Sequence, residues 1–519
     1  MISDKLYLLR QQVNCSQEKF AERIGVSRQT VQRWESGSAS PDLDSLVNIA
    51  KTFNVSLDWL SDLSNNRSAD DLRVHIGPVP VYETDLRTEF LQALDEGRDV
   101  EALRGIVDAV SAYPAGPEKG KLADVLWQIM FGAPQRQDYP YREPDDLAAI
   151  RQLRRERYSV RDAALPEKDV LRDKLTGAWL GRVCGCMLGQ PVEGSMTDEL
   201  IPLLRATGNY PMHRYLTKAD SEDPVTEKMR YPFRYRTYPD MLAHGFPGDD
   251  DTNYTYIGAY IIEKYGRAFT SGDVCKTWTS TQVIDYYFTA ERAAYRNIIA
   301  GYTPPDTAVY KNPYREWIGA QIRGDYFGYI NPGDPETAAE MAWRDARVSH
   351  VKNGIYGEMF VSAMNAAAIV CGDTESVLLC GMSQIPETSR LYERLQGVID
   401  CYHSGKTWDD FYADFMKRYD EKLRHDAVHT LSNAELVAAA LLWGEGDFGK
   451  TICLAVQNGF DTDCNGATAG SIVGMLRGTA GIGREWSDPI GGIVNTSVNG
   501  QGAVRIDDFV DTILRHIGR

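Results

Sequence analysis

The sequence lacks the features of membrane and secreted proteins. No apolar run approaches the roughly 20 residues that cross a bilayer, and the N-terminus has no apolar signal-peptide core. The nine cysteines are scattered and form no CxxC pair, so the sequence indicates neither a zinc knuckle nor a disulfide framework. Free thiols in a reducing compartment are the better interpretation, and we expect a cytoplasmic protein.

Positive charge is also in the minority, with 56 Lys and Arg residues against 73 Asp and Glu residues. The formal net charge is −17, which argues against nucleic-acid binding by the surface as a whole, so any DNA contact must come from a local patch. The 519 residues are too many for one ordinary domain, and two or three domains are expected. Alternating β-type patterns are rare and helical periodicity prevails, so the sequence predicts an all-α fold.

Residues 1–65 have the pattern of several short helices. Ser16 is placed to cap a helix that Gly25 ends, and Ser27 is placed to cap the next, which is the plan of a helix-turn-helix unit. The second helix of such a unit enters the major groove of DNA. The predicted DNA-binding residues are those that this helix would expose, namely Arg28, Gln29, Gln32 and Arg33.

The stretch from Ser16 to Gly37 resembles the Cro/CI-type (Xre) helix-turn-helix domains of phage and bacterial repressors. The resemblance implies binding to a DNA operator. Because one such domain has too small an interface for tight operator binding, we expect a homodimer. The alternative is a helical bundle that makes only protein contacts, since acidic and basic residues are nearly balanced in this segment.

The rest of the chain divides into two predicted parts. Polar residues without periodicity between Ser64 and Asp71 mark a linker. Residues 66–165 are predicted to form this linker and a small helical connector without evident chemistry. Residues 166–519 form the third predicted domain.

Two segments of the third domain carry glycine at every fourth position. The first series is Gly177, Gly181, Gly185 and Gly189, and the second is Gly466, Gly470, Gly474 and Gly478. Glycine costs roughly 1 kcal/mol per site in a helix interior, so such a ridge needs the compensating gain of close backbone contact. We therefore predict that the two helices pack on each other.

Two acidic turns in this domain together carry five carboxylates. They are Asp249-Asp250-Asp251-Thr252 and Asp461-Thr462-Asp463, and each opens a predicted apolar helix. Crowded carboxylates repel one another unless a cation neutralises them, and oxygen ligands suit Mg²⁺, Mn²⁺ or Ca²⁺ better than zinc. Alternatively, these residues only cap helix N-termini. Glu193 follows the first glycine series, and without other information we interpret it as a surface glutamate.

Residues from about 168 to 518 resemble the ADP-ribosylglycohydrolase family. Gly189-Gln190-Pro191-Val192-Glu193 is similar to the end of the family's opening helix, and the two acidic turns are similar to its metal motifs. The resemblance implies an all-α domain that holds two Mg²⁺ ions, with Mn²⁺ as the alternative. The metal ligands that it implies are Asp249, Asp250, Asp251, Asp461 and Asp463.

Further matches imply substrate contacts. Residues 318–323 resemble the family's substrate loop, although Ile318 stands where the family has asparagine, and Ser349-His350, followed by Asn353-Gly354, resembles its Ser/Thr-His element. The predicted substrate-binding residues are Gly319, Arg323, His350 and Asn353. For His350, a role as a buried core histidine and a role as a substrate contact are equally consistent with the sequence. The chain also departs from the family at Cys186, where an aspartate is usual, and at Cys464, where a threonine is frequent.

The resemblance implies metal-dependent hydrolysis of a ribosyl glycosidic bond, in an ADP-ribosylated protein or a smaller ribosylated compound, coupled to DNA binding. Such cleavage passes through an oxocarbenium-like state and needs a carboxyl group to move a proton. Within this family context, Glu193 is the predicted catalytic residue. The alternative is a transcription regulator that uses the glycohydrolase-like fold as a ligand sensor.

Overall fold

A computed structural model of the chain describes residues 2–12, 15–53, 55, 57–60, 85–155, 158–160 and 163–518. Within these ranges α-helices dominate, and the strands form one two-stranded antiparallel sheet, which confirms the predicted all-α fold. The chain divides into two compact units, Met1–Val79 and Pro80–Arg519. The three-part domain division stays a prediction, since its linker lies outside the described residues. Among the described helices, none has the length and apolar character to span a bilayer.

The first unit is a bundle of short helices. Their bounds are α1 (Ile2–Gln12), α2 (Gln17–Ile24), α3 (Arg28–Glu35), α4 (Leu43–Phe53) and α5 (Leu57–Leu60). The Ser16 hydroxyl accepts the backbone N–H of Lys19, and the Ser27 hydroxyl accepts that of Thr30, so serines cap α2 and α3 as predicted. Gly25 ends α2 with a φ of 72°, a conformation that favours glycine.

The second unit contains the remaining elements. Its helices up to the middle of the chain are α6 (Leu86–Asp95), α7 (Arg104–Ala112), α8 (Pro117–Gly132), α9 (Leu147–Leu153), α10 (Lys168–Gly189), α11 (Thr197–Ala206), α12 (Lys218–Ser221), α13 (Asp250–Tyr265), α14 (Ser271–Thr281), α15 (Thr289–Ile299) and α16 (Asp306–Val309). The later helices are α17 (Asp325–Tyr329), α18 (Pro335–Ala346), α19 (Lys352–Ala368), α20 (Thr374–Met382), α21 (Arg390–His403), α22 (Trp408–Phe415), α23 (Arg424–Ala427), α24 (Thr430–Gly444), α25 (Phe448–Val456), α26 (Thr462–Arg477), α27 (Arg484–Ser487) and α28 (Ile506–His516).

Short 3₁₀ turns and a small sheet complete the second unit. The 3₁₀ turns are Glu101–Leu103, Gln190–Val192, Pro224–Lys228, Phe233–Tyr235, Pro239–Met241, Ile284–Tyr286, Ile318–Ala320, Thr479–Gly481, Asp488–Ile490 and Val498–Gly500. Strand β1 (Ile493–Thr496) pairs antiparallel with β2 (Gly502–Arg505), with Ile493 opposite Arg505.

Helices α10 and α26 pack backbone to backbone along their glycine ridges. A Cβ atom on the first glycine of each pair would clash with the carbonyl of the second, in Gly185–Gly466, Gly181–Gly470 and Gly177–Gly474. This contact confirms the predicted pairing of the two helices. Gly189, at the end of α10, meets the backbone of Thr462 and Asp463 in the same way. The second acidic turn is thereby fixed beside the end of α10.

The predicted connector is anchored to the segment around residue 315 by buried charges. The Arg315 guanidinium forms ion pairs with Glu89 at 2.9 Å and with Glu96 at 2.6 Å, both contributed by residues 86–96. Glu316 accepts hydrogen bonds from Gln92 at 2.7 Å and from Arg390 at 2.8 Å. All of these side chains are buried. Residues 86–96 therefore support the loop that leads into residues 318–323.

Candidate functional site

The two acidic turns meet at one cavity. Asp249 immediately precedes α13 and Asp461 immediately precedes α26. One carboxylate oxygen from each of Asp249, Asp250, Asp251 and Asp463 lies within 4.8 Å of the others. Asp461 lines the cavity next to them. Helix capping accounts for part of the sequence pattern, since the Thr252 hydroxyl accepts the Asp249 N–H, but it does not require four carboxylates this close together.

The cavity has a volume of about 640 Å³ and a strongly acidic lining. Its carboxylates are Glu193, Asp249, Asp250, Glu291, Asp461 and Asp463. Arg424 is the only basic side chain among the described residues that line it, and its guanidinium lies 5.7 Å from the centre of the Trp317 ring. Tyr286, Phe288 and Trp317 supply aromatic surface to the wall. The cavity therefore combines a place for cations with surfaces on which a flat group can pack.

Burial and mutual repulsion disfavour the charged forms of the clustered carboxylates. Burial first, and then the neighbouring carboxylates, raise the pKa values of Asp250 and Asp463 well above the ordinary range. The Oδ1 atom of Asp463 is buried without a hydrogen-bond partner. Because a buried unpaired carboxylate oxygen is costly, a bound cation would supply both the missing partner and the missing charge. The residues present fit a divalent metal ion.

Asp251 is oriented by a buried arginine. Nη2 of Arg182 donates to Asp251 Oδ1 at 3.0 Å, while Nη1 donates to Asp325 at 2.9 Å. Burial raises the pKa of Asp251, and Arg182 opposes this rise. Arg182 was not predicted as part of the site. The signal that could have found it is a charged residue within the otherwise apolar second half of α10, from Ala178 to Gly189.

Glu193 stands at the end of the 3₁₀ turn that follows α10 and lines the cavity. The Tyr231 hydroxyl donates to its backbone carbonyl at 2.9 Å, which fixes the turn. Desolvation among the surrounding protein atoms, and then the carboxylates of Asp461 and Asp249, raise the pKa of Glu193 to about 7, although its side chain keeps access to solvent. A carboxyl group with this pKa can give or take a proton near neutral pH.

Glu291 is a cavity carboxylate that sequence reasoning missed. It lies on α15, it is buried, and burial raises its pKa to about 7 against the opposing charge of Arg323. A Cβ on Gly319 would clash with its carboxylate. Gly319 itself lines the cavity. Nothing in the sequence around position 291 distinguishes it from a solvated helical glutamate, because only the tertiary contact with residues 319–323 reveals it.

The other three predicted substrate residues lie behind the cavity wall. Arg323 is buried and donates to Asp345 at 2.6 Å. Nε2 of His350 accepts the backbone N–H of Ala320 at 3.3 Å, and burial lowers the His350 pKa so that the ring is neutral. The buried Asn353 side chain donates to Glu316 at 2.9 Å. These side chains hold residues 316–323 in place, and the structure does not bring them to the cavity surface.

A second group with metal-binding residue types lies behind Trp317. Side-chain atoms of Asp95, His425 and His429 lie within 4.8 Å of one another. However, Nδ1 of His425 accepts the Trp317 indole N–H, and Nδ1 of His429 accepts the Leu431 backbone N–H. In the neutral rings the Nε2 atoms that face Asp95 therefore carry the hydrogens. This group links α6 to the cavity wall and is not arranged to ligate a metal.

In the first unit, α3 presents a polar face. The four predicted DNA-binding side chains on this helix are all exposed, namely Arg28, Gln29, Gln32 and Arg33. Val31 and Trp34 on the opposite face are buried in the core. This is the division of faces that a recognition helix needs.

Two family models match the chain. Residues 167–516 match the ADP-ribosylglycohydrolase model, which is roughly two thirds of the chain. The chain belongs to the ADP-ribosylglycohydrolase family. Residues 6–60 match the helix-turn-helix model. Both resemblances noted in the sequence are thereby confirmed, and this family member carries a helix-turn-helix domain ahead of its glycohydrolase domain.

Curated relatives resemble the helix-turn-helix part. The HTH-type transcriptional activator BcrR of Enterococcus faecalis is 43% identical over 58 residues, which are 11% of this chain and 28% of BcrR. The uncharacterized HTH-type transcriptional regulator YqaE of Bacillus subtilis (strain 168) is 37% identical over 60 residues, which are 12% of this chain and 52% of YqaE. The chain thus spans about half or less of the length of these relatives.

The solved structures that are similar to this chain include one that is described as an ADP-ribosylglycohydrolase-related protein complex. The match covers 67% of this chain and 98% of that one. The sequence identity is 18% and the TM-score is 0.41.

In this ADP-ribosylglycohydrolase family member, two thiols border the acidic cluster. Cys186 Sγ lies within 4.8 Å of carboxylate oxygens of Asp249 and Asp251, and Cys464 Sγ lies within 4.8 Å of those of Asp251 and Asp463. Both cysteines are buried and free. The two departures from the family pattern therefore fall directly on the cluster.

Proposed function

We propose that the cavity hydrolyses a ribosyl glycosidic bond with the help of divalent metal ions. The observation that carries this proposal is the group of four carboxylates within 4.8 Å, one of which has a buried oxygen without a partner. Membership of the ADP-ribosylglycohydrolase family supports it. The substrate class is an ADP-ribosylated protein or a smaller ribosylated compound.

The residues divide into metal-holding and proton-moving groups. The metal-holding residues would be Asp249, Asp250, Asp251, Asp461 and Asp463, and the family resemblance implies two Mg²⁺ ions. Bound divalent ions orient substrate hydroxyls and stabilise negative charge on oxygen. Glu193 moves the proton that bond cleavage requires, since it lines the same cavity and its pKa lies near neutrality. The aromatic wall at Trp317 supplies a surface for a nucleobase or another flat group of the substrate.

Two variants separate these roles. Glu193→Gln should keep metal binding, measured by calorimetry, but lower turnover by about 10²–10⁴-fold because a proton-moving group is lost. Asp463→Asn should weaken both metal binding and turnover. Turnover is measured by mass spectrometry on ADP-ribosylated protein and on small ribosides. The proposal fails if Asp463→Asn binds metal and turns over like the unmodified protein.

The helix-turn-helix unit supports a second proposal, that the protein binds a DNA operator as a homodimer and that cavity ligands change this binding. The exposed polar face of α3 and the curated regulators that match this segment favour DNA contact. Operator fragments should be selected from genomic DNA and titrated with and without ADP-ribose. In the sensor alternative, ADP-ribose changes DNA affinity while no riboside is hydrolysed. Tight operator binding by a monomer in sedimentation experiments would contradict the dimer.

A further inference from the structure

The thiol of Cys464 is placed to take part in the cation site. Cys464 lies in the first turn of α26, directly after Asp463, and its side chain lines the cavity although it is only 5% exposed. Its Sγ atom and carboxylate oxygens of Asp251 and Asp463 lie within 4.8 Å of one another, a separation that one ion can bridge. Asp463 also belongs to the group of four carboxylates. An ion bound to Asp463 could therefore be contacted both by the Cys464 thiol and by the other carboxylates.

An independent observation points to a ligand at this place. Asp463 is 2% exposed, and its Oδ1 atom has no hydrogen-bond partner. Buried carboxylate oxygens are normally satisfied, so this atom lacks a cation or a donor. Asp251, in contrast, is already oriented, since Arg182 donates to one of its oxygens. An ion that contacts Asp463 at this place also lies within reach of the Cys464 sulfur.

Sulfur changes which ion the site prefers. Carboxylate-only sites suit Mg²⁺, whereas a thiolate ligand favours softer ions such as Zn²⁺ and Co²⁺. We propose that Cys464 is a metal ligand and that the position beside it takes a thiophilic divalent ion in preference to Mg²⁺. On binding, the thiol releases its proton to solvent and the thiolate contacts the ion. This inference rests on the metal site of the proposed function and names the class of ion at one of its positions.

Cys186 has a different role. It is completely buried, and its thiol donates to Asp251 Oδ2 at 3.9 Å from the α10 side of the cluster. Cys186 is not one of the described residues that line the cavity. Cys186 is thus a positioning residue for Asp251, and serine keeps a hydrogen-bond donor at this place. Cys186→Ser is therefore the matched control for Cys464→Ser.

Co²⁺ is the probe for the test, because a sulfur ligand gives Co²⁺ a charge-transfer absorption band in the near ultraviolet. The full-length protein is purified without metal, loaded with Co²⁺ and measured spectroscopically. The unmodified protein should show the band, Cys464→Ser should lose it, and Cys186→Ser should keep it. Cys275→Ser, at a buried cysteine outside every candidate metal group of the described residues, controls for the loss of any buried thiol. Since the first result comes from the unmodified protein, it does not depend on how well a variant folds.

Calorimetric titration with Zn²⁺ and with Mg²⁺ gives the second readout. Because loss of even an outer-shell partner lowers metal affinity by about 10–100-fold, Cys464→Ser should weaken Zn²⁺ binding by at least about tenfold and leave Mg²⁺ binding little changed. Co²⁺ binding without a sulfur band, or a band that persists in Cys464→Ser, overturns the inference and leaves the proposed function intact. Failure of the unmodified protein to bind any divalent ion overturns both.

Discussion

Replacement of Gly185 by alanine tests how the fold builds the acidic site. Gly185 lies in the middle of the contact between α10 and α26, where a Cβ would clash with the Gly466 carbonyl and approach the Ala467 nitrogen. These are backbone atoms, so no change of rotamer can relieve the clash. The helices must move apart, and the separation reaches the cluster because Gly189 on the same helix touches the backbone of Asp463.

Two opposing effects set the magnitude. Alanine is favoured over glycine in a helix interior by roughly 1 kcal/mol. Overpacking a dense interior costs about 1–3 kcal/mol and occasionally more, and a clash between two backbones belongs at the upper end of that range. The expected net change for Gly185→Ala is therefore a loss of about 2 kcal/mol in the free energy of unfolding. Since the proposed metal ligands are displaced as well, metal affinity should fall by about 10–100-fold.

Gly397 provides the matched control. It lies inside α21 and is exposed, and a Cβ added to it would have no atom within 4 Å apart from its chain neighbours and the backbone of its own helix, so alanine meets only open space. Gly397→Ala should stabilise the protein by up to roughly 1 kcal/mol and leave metal binding unchanged. Chemical denaturation followed by fluorescence gives the stabilities, and calorimetry gives the affinities. If Gly185→Ala proves as stable as Gly397→Ala, the close-packed interface does not limit stability and the reasoning is refuted.

Three further predictions concern charges. Arg315→Met removes the ion-pair partner of Glu89 and leaves Glu96 with only Arg98 and Lys352, so it should cost about 3–5 kcal/mol in chemical denaturation; an unchanged midpoint would contradict this. Burial would raise the pKa of Glu96, but Arg315 and Lys352 outweigh it and hold the pKa at about 2, below the ordinary 4.5. This group therefore contributes stability above pH 4.5 that is lost as the pH falls towards 2, and Glu96→Gln should flatten this acid limb of the stability profile. Arg33→Ala should weaken DNA binding and reduce its salt dependence by about one ion, and an unchanged salt slope would place Arg33 off the DNA.

The features that could be predicted from the sequence are those with a short-range physical signature. The glycine ridges predicted a helix contact because their spacing is a property of one helix face and their cost has to be offset. The caps at Ser16 and Ser27 predicted helix starts for the same local reason. The two acidic turns predicted a shared site only when they were considered together, since either one alone is also a common helix cap.

The features that could not be predicted depend on contacts between distant parts of the chain. Glu291 belongs to the cavity only because α15 packs against residues 319–323, and an isolated helical glutamate gives no sign of this. Arg323 has the residue type of a substrate contact, yet Glu291 and Asp345 neutralise it inside the protein. The partners of such an ion pair lie at no regular spacing in the sequence. Residue type alone therefore cannot distinguish an arginine that binds a ligand from one that pairs inside the protein.

The family match begins at residue 167, but the compact unit that contains it begins at Pro80 and so includes the connector. Glu89, Gln92 and Glu96 supply buried partners to the segment that leads into residues 318–323. A chain cut at residue 167 would remove both carboxylates that pair with Arg315 and the Gln92 side chain that donates to Glu316. The same cut removes Asp95 and with it the hydrogen bond that fixes His425, whose ring accepts the indole N–H of the cavity residue Trp317. All of the described residues that line the cavity lie within the family match, but residues outside the match support its wall from behind, and any effect of the connector on activity would act through this support.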